Sequence, residues 1–307
     1  MQIGCTFPDW AQPAFPAGDR ANLIRECRFS ISEIRPMTTM QRLEHPNGVV
    51  TYTFRAWAGL PVQAHVSARH GGVSPAPWTS LNFSQRRGDA PERVRENFTR
   101  FCAAVGVDPS HPVRTQQVHG TGVAKVDWAD AGQRQEGADA LITDAVGLPL
   151  FLVFADCTPI VLYDPRRHVL GACHAGWRGT VNGVAAATLW AMQAAYDTDP
   201  ADVLAGIGPS IGPVSYEVGP EVYELALVKL NRAERFFHFP NGPDTRPYFD
   251  LWQANAAQLM EAGVPEAHIT IAGIDTAQAT DEFYSHRAER GKCGLFGMLA
   301  WLEEIED

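Results

Sequence analysis

The sequence has few cysteines and none of the spacings that build a cysteine scaffold. Its six cysteines in 307 residues include no Cys-x-x-Cys pair, which argues against a zinc ribbon and a disulfide framework. Scattered single cysteines are typical of a reducing compartment, so we expect a cytoplasmic protein. Ten histidines include no His-x-His pair. This argues against a blue multicopper oxidase, since such enzymes need clustered ligands for several copper ions.

Basic runs and long apolar segments are also absent. The formal net charge is −10 and no lysine- and arginine-rich run occurs, so neither nucleic acid nor an anionic membrane is an expected partner. No apolar stretch approaches the ~18 residues that a membrane-spanning helix needs. The N-terminus lacks a basic segment followed by an apolar one, so we expect no secretory signal.

Residues 1–39 differ in character from the rest of the chain. They contain prolines at positions 8, 13, 16 and 36 and show little periodicity. We interpret them as an irregular N-terminal extension, with Met37 and Met40 as alternative start positions. No internal repeat and no long polar linker divides residues 40–307, which we expect to form a single domain.

Helical and strand-like segments are mixed along residues 40–307. Four helices are predicted from apolar spacing and capping residues: one from Pro91, one after His174, one from Pro220 and one from Asp250. Short β-prone runs lie between them, at 62–68, 123–128, 149–154, 160–163, 168–173, 203–207 and 268–272. This pattern predicts an α/β or α+β domain with mixed sheets.

One cysteine and two histidines are candidate metal ligands. They are His119 before a glycine, Cys157 in an Asp-Cys-Thr-Pro sequence, and His174 in a His-Ala-Gly-Trp-Arg-Gly sequence. A thiolate and two imidazoles leave one position of a tetrahedral zinc ion open, which is the arrangement of a catalytic zinc site.

A predicted β-hairpin brings two of these ligands together. Two apolar runs enclose Asp164 and Pro165, which suit the first positions of a tight turn. If Asp164 pairs with Arg167, Cys157 lies directly opposite His174, with both side chains on one face of the sheet. The alternative is a buried cysteine that packs as a small apolar residue beside a hydrogen-bonded histidine.

Three other polar positions have two interpretations each. Arg69, before a pair of glycines, either cradles a phosphate or ribose or lies exposed beside a tight turn. Arg178, at a predicted helix start, is either an anion clamp or a salt-bridge partner. Asp156 either accepts a hydrogen bond from a metal ligand or caps a strand end. The glycines of residues 206–212 lack the spacing of a dinucleotide-binding loop, and no P-loop sequence occurs.

Several motifs occur together and in order. They are Arg69-His-Gly-Gly-Val-Ser, Gln117-Val-His-Gly, Gly137-Ala-Asp-Ala-Leu-Ile-Thr, Ala155-Asp-Cys-Thr-Pro-Ile, His174-Ala-Gly-Trp-Arg-Gly, Gly206-Ile-Gly-Pro-Ser-Ile-Gly and Phe283-Tyr-Ser-His-Arg. With this combination, residues 40–302 resemble the YfiH family, also called the laccase-domain or polyphenol-oxidase-like family. The resemblance implies a single α/β domain of layered mixed β-sheets flanked by helices.

The resemblance also implies a chemistry. It places a zinc ion (Zn2+) on His119, Cys157 and His174 in a pocket, with copper as the alternative metal. The implied reaction is phosphorolysis of the purine nucleosides adenosine, inosine and methylthioadenosine, with adenosine deamination as a side activity. The implied partners are small-molecule purine nucleosides and phosphate, and the protein is expected to be a monomer or a homodimer.

Four more residues are candidates for contacts with these substrates. We hypothesise that Arg69 and Arg178 neutralise the phosphate, and that Asn82 and Gln117 hold the nucleoside.

Two positions depart from the family pattern. Leu295 stands where the family usually has an arginine, and Ala288 replaces the second arginine of a preceding pair. If those arginines hold phosphate, this chain is expected to bind phosphate less well.

Other functions are compatible with the same residues. A Cys-His hydrolase would use Cys157 as nucleophile and His174 as base, and its activity would survive chelators. The family resemblance also implies two alternative functions, a copper-dependent polyphenol oxidase and an enzyme that edits peptidoglycan precursors. A non-catalytic partner-binding protein has little support, because the chain is acidic and shows no exposed amphipathic helix.

Overall fold

β-Strands dominate the structure, as the many short apolar runs predict. The structure is a computed structural model that describes residues 39–242 and 245–305, so the predicted extension lies outside the described residues apart from Thr39. In chain order the strands are β1 (Met40–Glu44), β2 (Val50–Phe54), β3 (Val62–Ser67), β4 (Val113–Gln116), β5 (Val123–Lys125), β6 (Arg134–Glu136), β7 (Ala140–Thr143), β8 (Leu150–Phe154), β9 (Thr158–Asp164), β10 (Val169–Ala175), β11 (Leu204–Ile207), β12 (Phe237–His238), β13 (Tyr248–Phe249), β14 (Ile269–Ile271) and β15 (Phe296–Leu302).

The described strands form two large sheets and a two-stranded ribbon. The seven-stranded sheet has the order β1-β2-β3-β15-β8-β4-β6, and the six-stranded sheet has the order β14-β11-β9-β10-β7-β5. Strand β4 pairs in parallel with β6 and β8, β5 with β7, and β11 with β14. The same sheets also contain antiparallel pairs, such as β9 with β10. The prediction of mixed sheets is therefore confirmed.

The helices begin where the capping residues predict. They are α1 (Pro91–Ala104), α2 (Trp177–Asn182), α3 (Val184–Tyr196), α4 (Pro220–Lys229) and α5 (Leu251–Glu261). Asp250 caps α5 by accepting a hydrogen bond from the backbone N–H of Gln253. The single helix predicted after His174 is instead divided, because Gly183 has a φ of +85° and separates α2 from α3. Within the described ranges, no helix has the length and apolar character needed to cross a bilayer.

The two sheets pack face to face and helices cover their outer faces. Side chains alternate along β9, so that Val161 and Tyr163 enter the core between the sheets whereas Leu162 faces outward toward α3 and α5. On the other sheet, Leu152 faces the shared core and Phe151 packs against α1. The central strands are thus buried on both sides, which explains their continuous apolar sequences.

The hairpin of β9 and β10 has a longer loop than predicted. Asp164 pairs with Val169 and not with Arg167, so the loop holds four residues. The Asp164 carboxylate accepts hydrogen bonds from the backbone N–H groups of Arg166 and Arg167, which stabilises this loop.

The longer loop shifts the pairing of β9 with β10 by two residues from the predicted register. His174 pairs with Pro159, so the prediction that Cys157 lies directly opposite His174 is wrong. A shift of two preserves the face to which a side chain points, because strand side chains alternate with a period of two. Cys157 is therefore a diagonal neighbour of His174 on the same face, still within contact range.

Candidate functional site

His119 lies in the loop after β4 and has a left-handed backbone. Its φ of +62° is uncommon for a residue other than glycine and requires support from its neighbours. The carboxylate of Asp139 gives that support, because it accepts hydrogen bonds from the backbone N–H groups of Val118 (3.1 Å), His119 (3.0 Å) and Gly120 (2.7 Å). The loop is therefore folded around a buried acid and presents the His119 imidazole at its tip.

His174 lies near the end of β10, on the face that β10 turns toward the other sheet. Its side chain is buried, and Nδ1 is 2.9 Å from Oδ1 of Asp139. An ionised carboxylate can only accept hydrogen bonds, so Nδ1 is the donor and Nε2 is left free to bind a ligand. A carboxylate behind the ring is the usual support of a metal-binding histidine.

Cys157 lies between β8 and β9, directly after another left-handed residue. Asp156 has a φ of +80°, and its carboxylate accepts hydrogen bonds from Oγ1 of Thr276 (2.8 Å) and the backbone N–H of Arg287 (2.6 Å). These bonds attach the turn that carries Cys157 to the C-terminal part of the chain. The role of Asp156 is thus to hold the turn, and its carboxylate points to neither histidine of the group.

The three candidate ligands converge. The nitrogen atoms of His119 and His174 and the sulfur of Cys157 all lie within 4.8 Å of one another. A tetrahedral ion at 2.0–2.3 Å from each ligand holds such atoms about 3.5 Å apart, so small side-chain adjustments bring them to bonding distance. Elsewhere in residues 39–242 and 245–305, no comparable group of three or more His, Cys, Asp or Glu side chains occurs.

Gly176 makes this convergence sterically feasible. A Cβ atom at this position would lie 2.9 Å from the Cys157 sulfur and 2.9 Å from Cδ2 of His119. Such distances are too short for side-chain atoms, so only glycine leaves the two ligands where they are. The backbone at Gly176 leaves space for the donor atoms. The residues present fit a divalent metal that prefers thiolate and imidazole ligands.

Cys157 and His174 shift each other's pKa in opposite directions. Burial raises the pKa of the Cys157 thiol, but the imidazoles of His174 and His119 outweigh it and lower the pKa to about 6. Burial lowers the pKa of His174, but Cys157 and Asp139 outweigh it and raise the pKa to about 9. The sulfur is therefore a thiolate at neutral pH, which is the form that binds metals. His174 is an imidazolium at that pH in the metal-free protein, so a metal that binds its Nε2 displaces a proton.

A cavity of about 560 Å3 opens beside the three ligands. This volume is within the range of small-molecule sites. Its wall contains four phenylalanines and five arginines but no aspartate or glutamate, although the chain as a whole carries a net charge of −10. The phenylalanines are Phe83, Phe98, Phe151 and Phe154, and the arginines are Arg86, Arg87, Arg95, Arg114 and Arg134. An aromatic and cationic cavity suits a ligand with an apolar ring and a negative charge.

Gln117 lines this cavity, but its amide is occupied. Its Nε2 donates to the carbonyl of Val153 (2.7 Å) and its Oε1 accepts from the N–H of the same residue (3.0 Å). The side chain thus acts as an additional hydrogen-bonding partner of β8. These two bonds fix the orientation of the amide, which keeps one further N–H and one further lone pair.

Arg69 and Asn82 lie outside the cavity wall. The Arg69 guanidinium donates to the carbonyls of Thr79 and Thr280 and pairs with Glu289. Asn82 is fully buried, and its amide bonds with the loops that precede α1 and β15. Both residues connect segments of the scaffold.

Arg178 and the two departures from the family pattern lie in different places. Arg178 is exposed at the start of α2, stacks on Trp177 and lines a neighbouring groove. Leu295, where the family resemblance implies an arginine, lines the cavity together with the three candidate ligands. Ala288 donates its backbone N–H to Ser285 Oγ in the C-terminal segment.

Two features of the candidate site were not predicted from the sequence. Asp139 supports two of the three ligands, and a buried acid in the sequence Gly-Ala-Asp-Ala between β-prone runs was the available signal. Arg114 and Arg134 reach the cavity only because β4 and β6 pair in parallel, a long-range contact with no local signal.

Comparisons with known proteins agree with this fold. The family model described as multi-copper polyphenol oxidoreductase laccase matches residues 63–303. The purine nucleoside phosphorylase YlmD of Geobacillus stearothermophilus is 35% identical over 258 residues, which cover 80% of this chain and 90% of YlmD. The purine nucleoside phosphorylase YfiH of Escherichia coli is 34% identical over 243 residues, which cover 78% of this chain and 94% of YfiH.

A solved structure gives the same result. The crystal structure of YlmD from Geobacillus stearothermophilus matches with a TM-score of 0.81 at 32% identity, and the match covers 87% of this chain and all of the YlmD chain. The expected fold of layered mixed sheets flanked by helices is confirmed. The chain therefore belongs to the multi-copper polyphenol oxidoreductase laccase family, together with YfiH and YlmD.

Proposed function

We propose that this protein is a zinc-dependent purine nucleoside phosphorylase that acts on adenosine, inosine and methylthioadenosine. The observation that carries the proposal is the convergence of His119, Cys157 and His174 within 4.8 Å, at the wall of a cavity of about 560 Å3. The names of its relatives YlmD and YfiH support the reaction class.

The three candidate ligands would hold the metal, and Asp139 orients two of them. Bound zinc supplies a Lewis acid that polarises an oxygen atom of the substrate or of water. Asp139 fixes the ring of His174 and the loop of His119, so that both nitrogens are oriented before a ligand arrives. Thiolate and imidazole ligands suit copper as well as zinc, and elemental analysis of the purified protein distinguishes the two.

In this proposal, residues of the cavity wall bind the purine base and the phosphate. Phenylalanine rings form an apolar wall on which a purine base can pack. The cavity arginines neutralise the phosphate, a function that the sequence hypothesis gave to Arg69 and Arg178. Neither of those two residues lines this cavity.

The test is phosphate-dependent release of hypoxanthine from inosine. We expect the wild type to release the base only when phosphate is present, and the His119→Ala variant to fall to background. His111→Ala, which removes a histidine outside the group of ligands, is the control and should retain full activity. Adenosine deamination, proposed as a side activity, is measured as ammonia release from adenosine without phosphate.

A Cys-His hydrolase is the second candidate, because the pKa of Cys157 is lowered to about 6 beside His174. A thiolate next to an imidazolium is the reactive pair of such enzymes. The two candidates respond in opposite ways to a chelator. Metal removal abolishes phosphorolysis, whereas it exposes Cys157 and leaves or increases the activity of a thiol hydrolase.

A further inference from the structure

Two arginines lie side by side on the cavity wall. Arg114 on β4 and Arg134 on β6 are register partners in a parallel pair, and both line the cavity. Register partners on neighbouring strands point to the same face of a sheet. Like charges in such positions repel each other, so this pairing is unfavourable unless a negative charge lies nearby.

The described part of the chain supplies no such charge. Neither Arg114 nor Arg134 forms an ion pair with any residue in the described ranges. The cavity wall itself contains no acidic side chain. Two of the other three cavity arginines have partners, because Arg95 pairs with Glu92 and Arg87 donates to the carbonyl of Gly291.

Arg114 is also partly withdrawn from water. Its guanidinium lies over the ring of Phe98, with Cζ 4.2 Å from the ring centroid, and its Nε is buried without a hydrogen-bond partner among the described residues. A buried donor without a partner is costly, and a bound ion is one of the groups that can satisfy it. Burial lowers the pKa of Arg114, and the charge of Arg134 lowers it as well, while Cys102 opposes them. A bound anion would relieve each of these costs.

We propose that Arg114 and Arg134 form an anion subsite that binds the phosphate group of inorganic phosphate or of a phosphate ester. The proposal rests on the proposed function, since the subsite lies in the cavity of the metal ligands. Arg114 precedes His119 by five residues, so extended chain separates them by up to about 17 Å. Both arginines line the same cavity of about 560 Å3 as the three candidate ligands, so a nucleoside near those ligands and a phosphate group toward β4 and β6 would share one cavity. Guanidinium groups suit this role because they bind phosphate oxygens through two parallel hydrogen bonds.

The test compares three variants by calorimetric titration with inorganic phosphate and with inosine 5′-monophosphate. Arg114→Met keeps an aliphatic chain on Phe98 but removes the charge, and Arg134→Gln removes the second charge. Arg93→Gln, an exposed arginine of α1 outside the cavity wall, is the matched control. We expect Arg114→Met to weaken binding about tenfold or more, since a charge-assisted hydrogen bond contributes that much. The control should bind as the wild type does.

The two ligands separate the two sources of phosphate. Weaker binding of inorganic phosphate together with a higher KM for phosphate assigns the subsite to the second substrate of phosphorolysis. Weaker binding of inosine 5′-monophosphate with unchanged phosphate binding assigns it to a phosphate ester. Unchanged binding of both ligands in Arg114→Met and Arg134→Gln overturns the proposal, as does a wild type that binds neither.

Thermal unfolding gives a readout that is independent of catalysis. Without phosphate, Arg114→Met should unfold at the same temperature as the wild type or higher, because one of two repelling charges is gone. Added phosphate should raise the Tm of the wild type and leave that of Arg114→Met unchanged. If phosphate stabilises only the wild type but no hypoxanthine is released from inosine, the subsite stands and the phosphorylase function fails. An equal phosphate response of both proteins contradicts the subsite.

Discussion

Nδ1 of His174 lies 2.9 Å from Oδ1 of Asp139, and this bond joins the loop of one candidate ligand to the ring of another. The same carboxylate accepts the backbone N–H groups around His119. One buried acid therefore positions two of the three ligands, although it is not a ligand itself. Asp139 is therefore a positioning residue of the candidate site.

Asp139→Asn is expected to weaken metal binding. An amide offers one acceptor oxygen in place of two and directs N–H groups toward the backbone donors of the loop. We expect a 10–100-fold loss of zinc affinity, about the effect of removing such a support elsewhere. Competition with a chromophoric chelator measures the affinity. Asp281→Asn, an exposed acid, is the control, and equal affinities of the two variants would show that Asp139 has no such role.

Gly176→Ala should displace the ligands with little effect on the rest of the fold. The new Cβ would approach the Cys157 sulfur and the His119 ring to 2.9 Å. We expect the variant to fold and to purify with much less metal than the wild type, as measured by elemental analysis. Gly106→Ala is the control, because φ is +76° and no heavy atom lies within 4 Å of the new Cβ. It should lose stability and keep its metal, and a Gly176→Ala protein with full metal content would contradict the steric argument.

The reactivity of Cys157 should follow its lowered pKa. A thiol with a pKa of about 6 is deprotonated above that pH and becomes protonated as the pH falls through it. In metal-stripped protein, alkylation of Cys157 by iodoacetamide should therefore be half-maximal near pH 6, and added zinc should suppress it. Burial raises the pKa of Cys102 and Cys173 to about 12, so these thiols should stay unmodified. A His174→Ala variant should shift the midpoint upward, and a midpoint near 9 in the wild type would refute the charge assignment.

Gln117→Ala separates a structural role from substrate binding. The variant leaves the N–H and the carbonyl of Val153 without their partner, so we expect a loss of about 1–3 kcal/mol in the free energy of unfolding. Urea denaturation measures it. Gln116→Ala removes a neighbouring amide from the same cavity and should leave stability unchanged. Unaltered stability with a raised KM for inosine would instead assign Gln117 to the nucleoside.

The three candidate ligands could be selected from the sequence because their chemistry is local. One thiol and two imidazoles are candidate ligands whatever the exact strand register. The two-residue error in the hairpin left Cys157 and His174 on one face of the sheet. The error arose at Asp164, whose carboxylate holds a four-residue loop where a two-residue turn was predicted. Helix starts were predictable for the same reason, since a proline or a capping acid acts on its own turn.

The binding surface was not predictable because it is built from long-range pairing. Strand β15 lies between β3 and β8, and β4 lies between β8 and β6, so residues far apart in sequence meet in one wall. Arg69 and Arg178 stand in recognisable motifs, yet their guanidinium groups lie outside the cavity. Arg114 and Arg134 stand in no motif and line it. Local sequence therefore indicates the metal chemistry but not the substrate contacts.

The most direct measurement is the metal content of protein purified without added metal, for the wild type and for the Cys157→Ala variant. We expect about one zinc ion per chain in the wild type and none in the variant, since two imidazoles alone hold zinc weakly. A wild type without bound metal, or a variant that retains one zinc ion per chain, would contradict a metal centre formed by His119, Cys157 and His174.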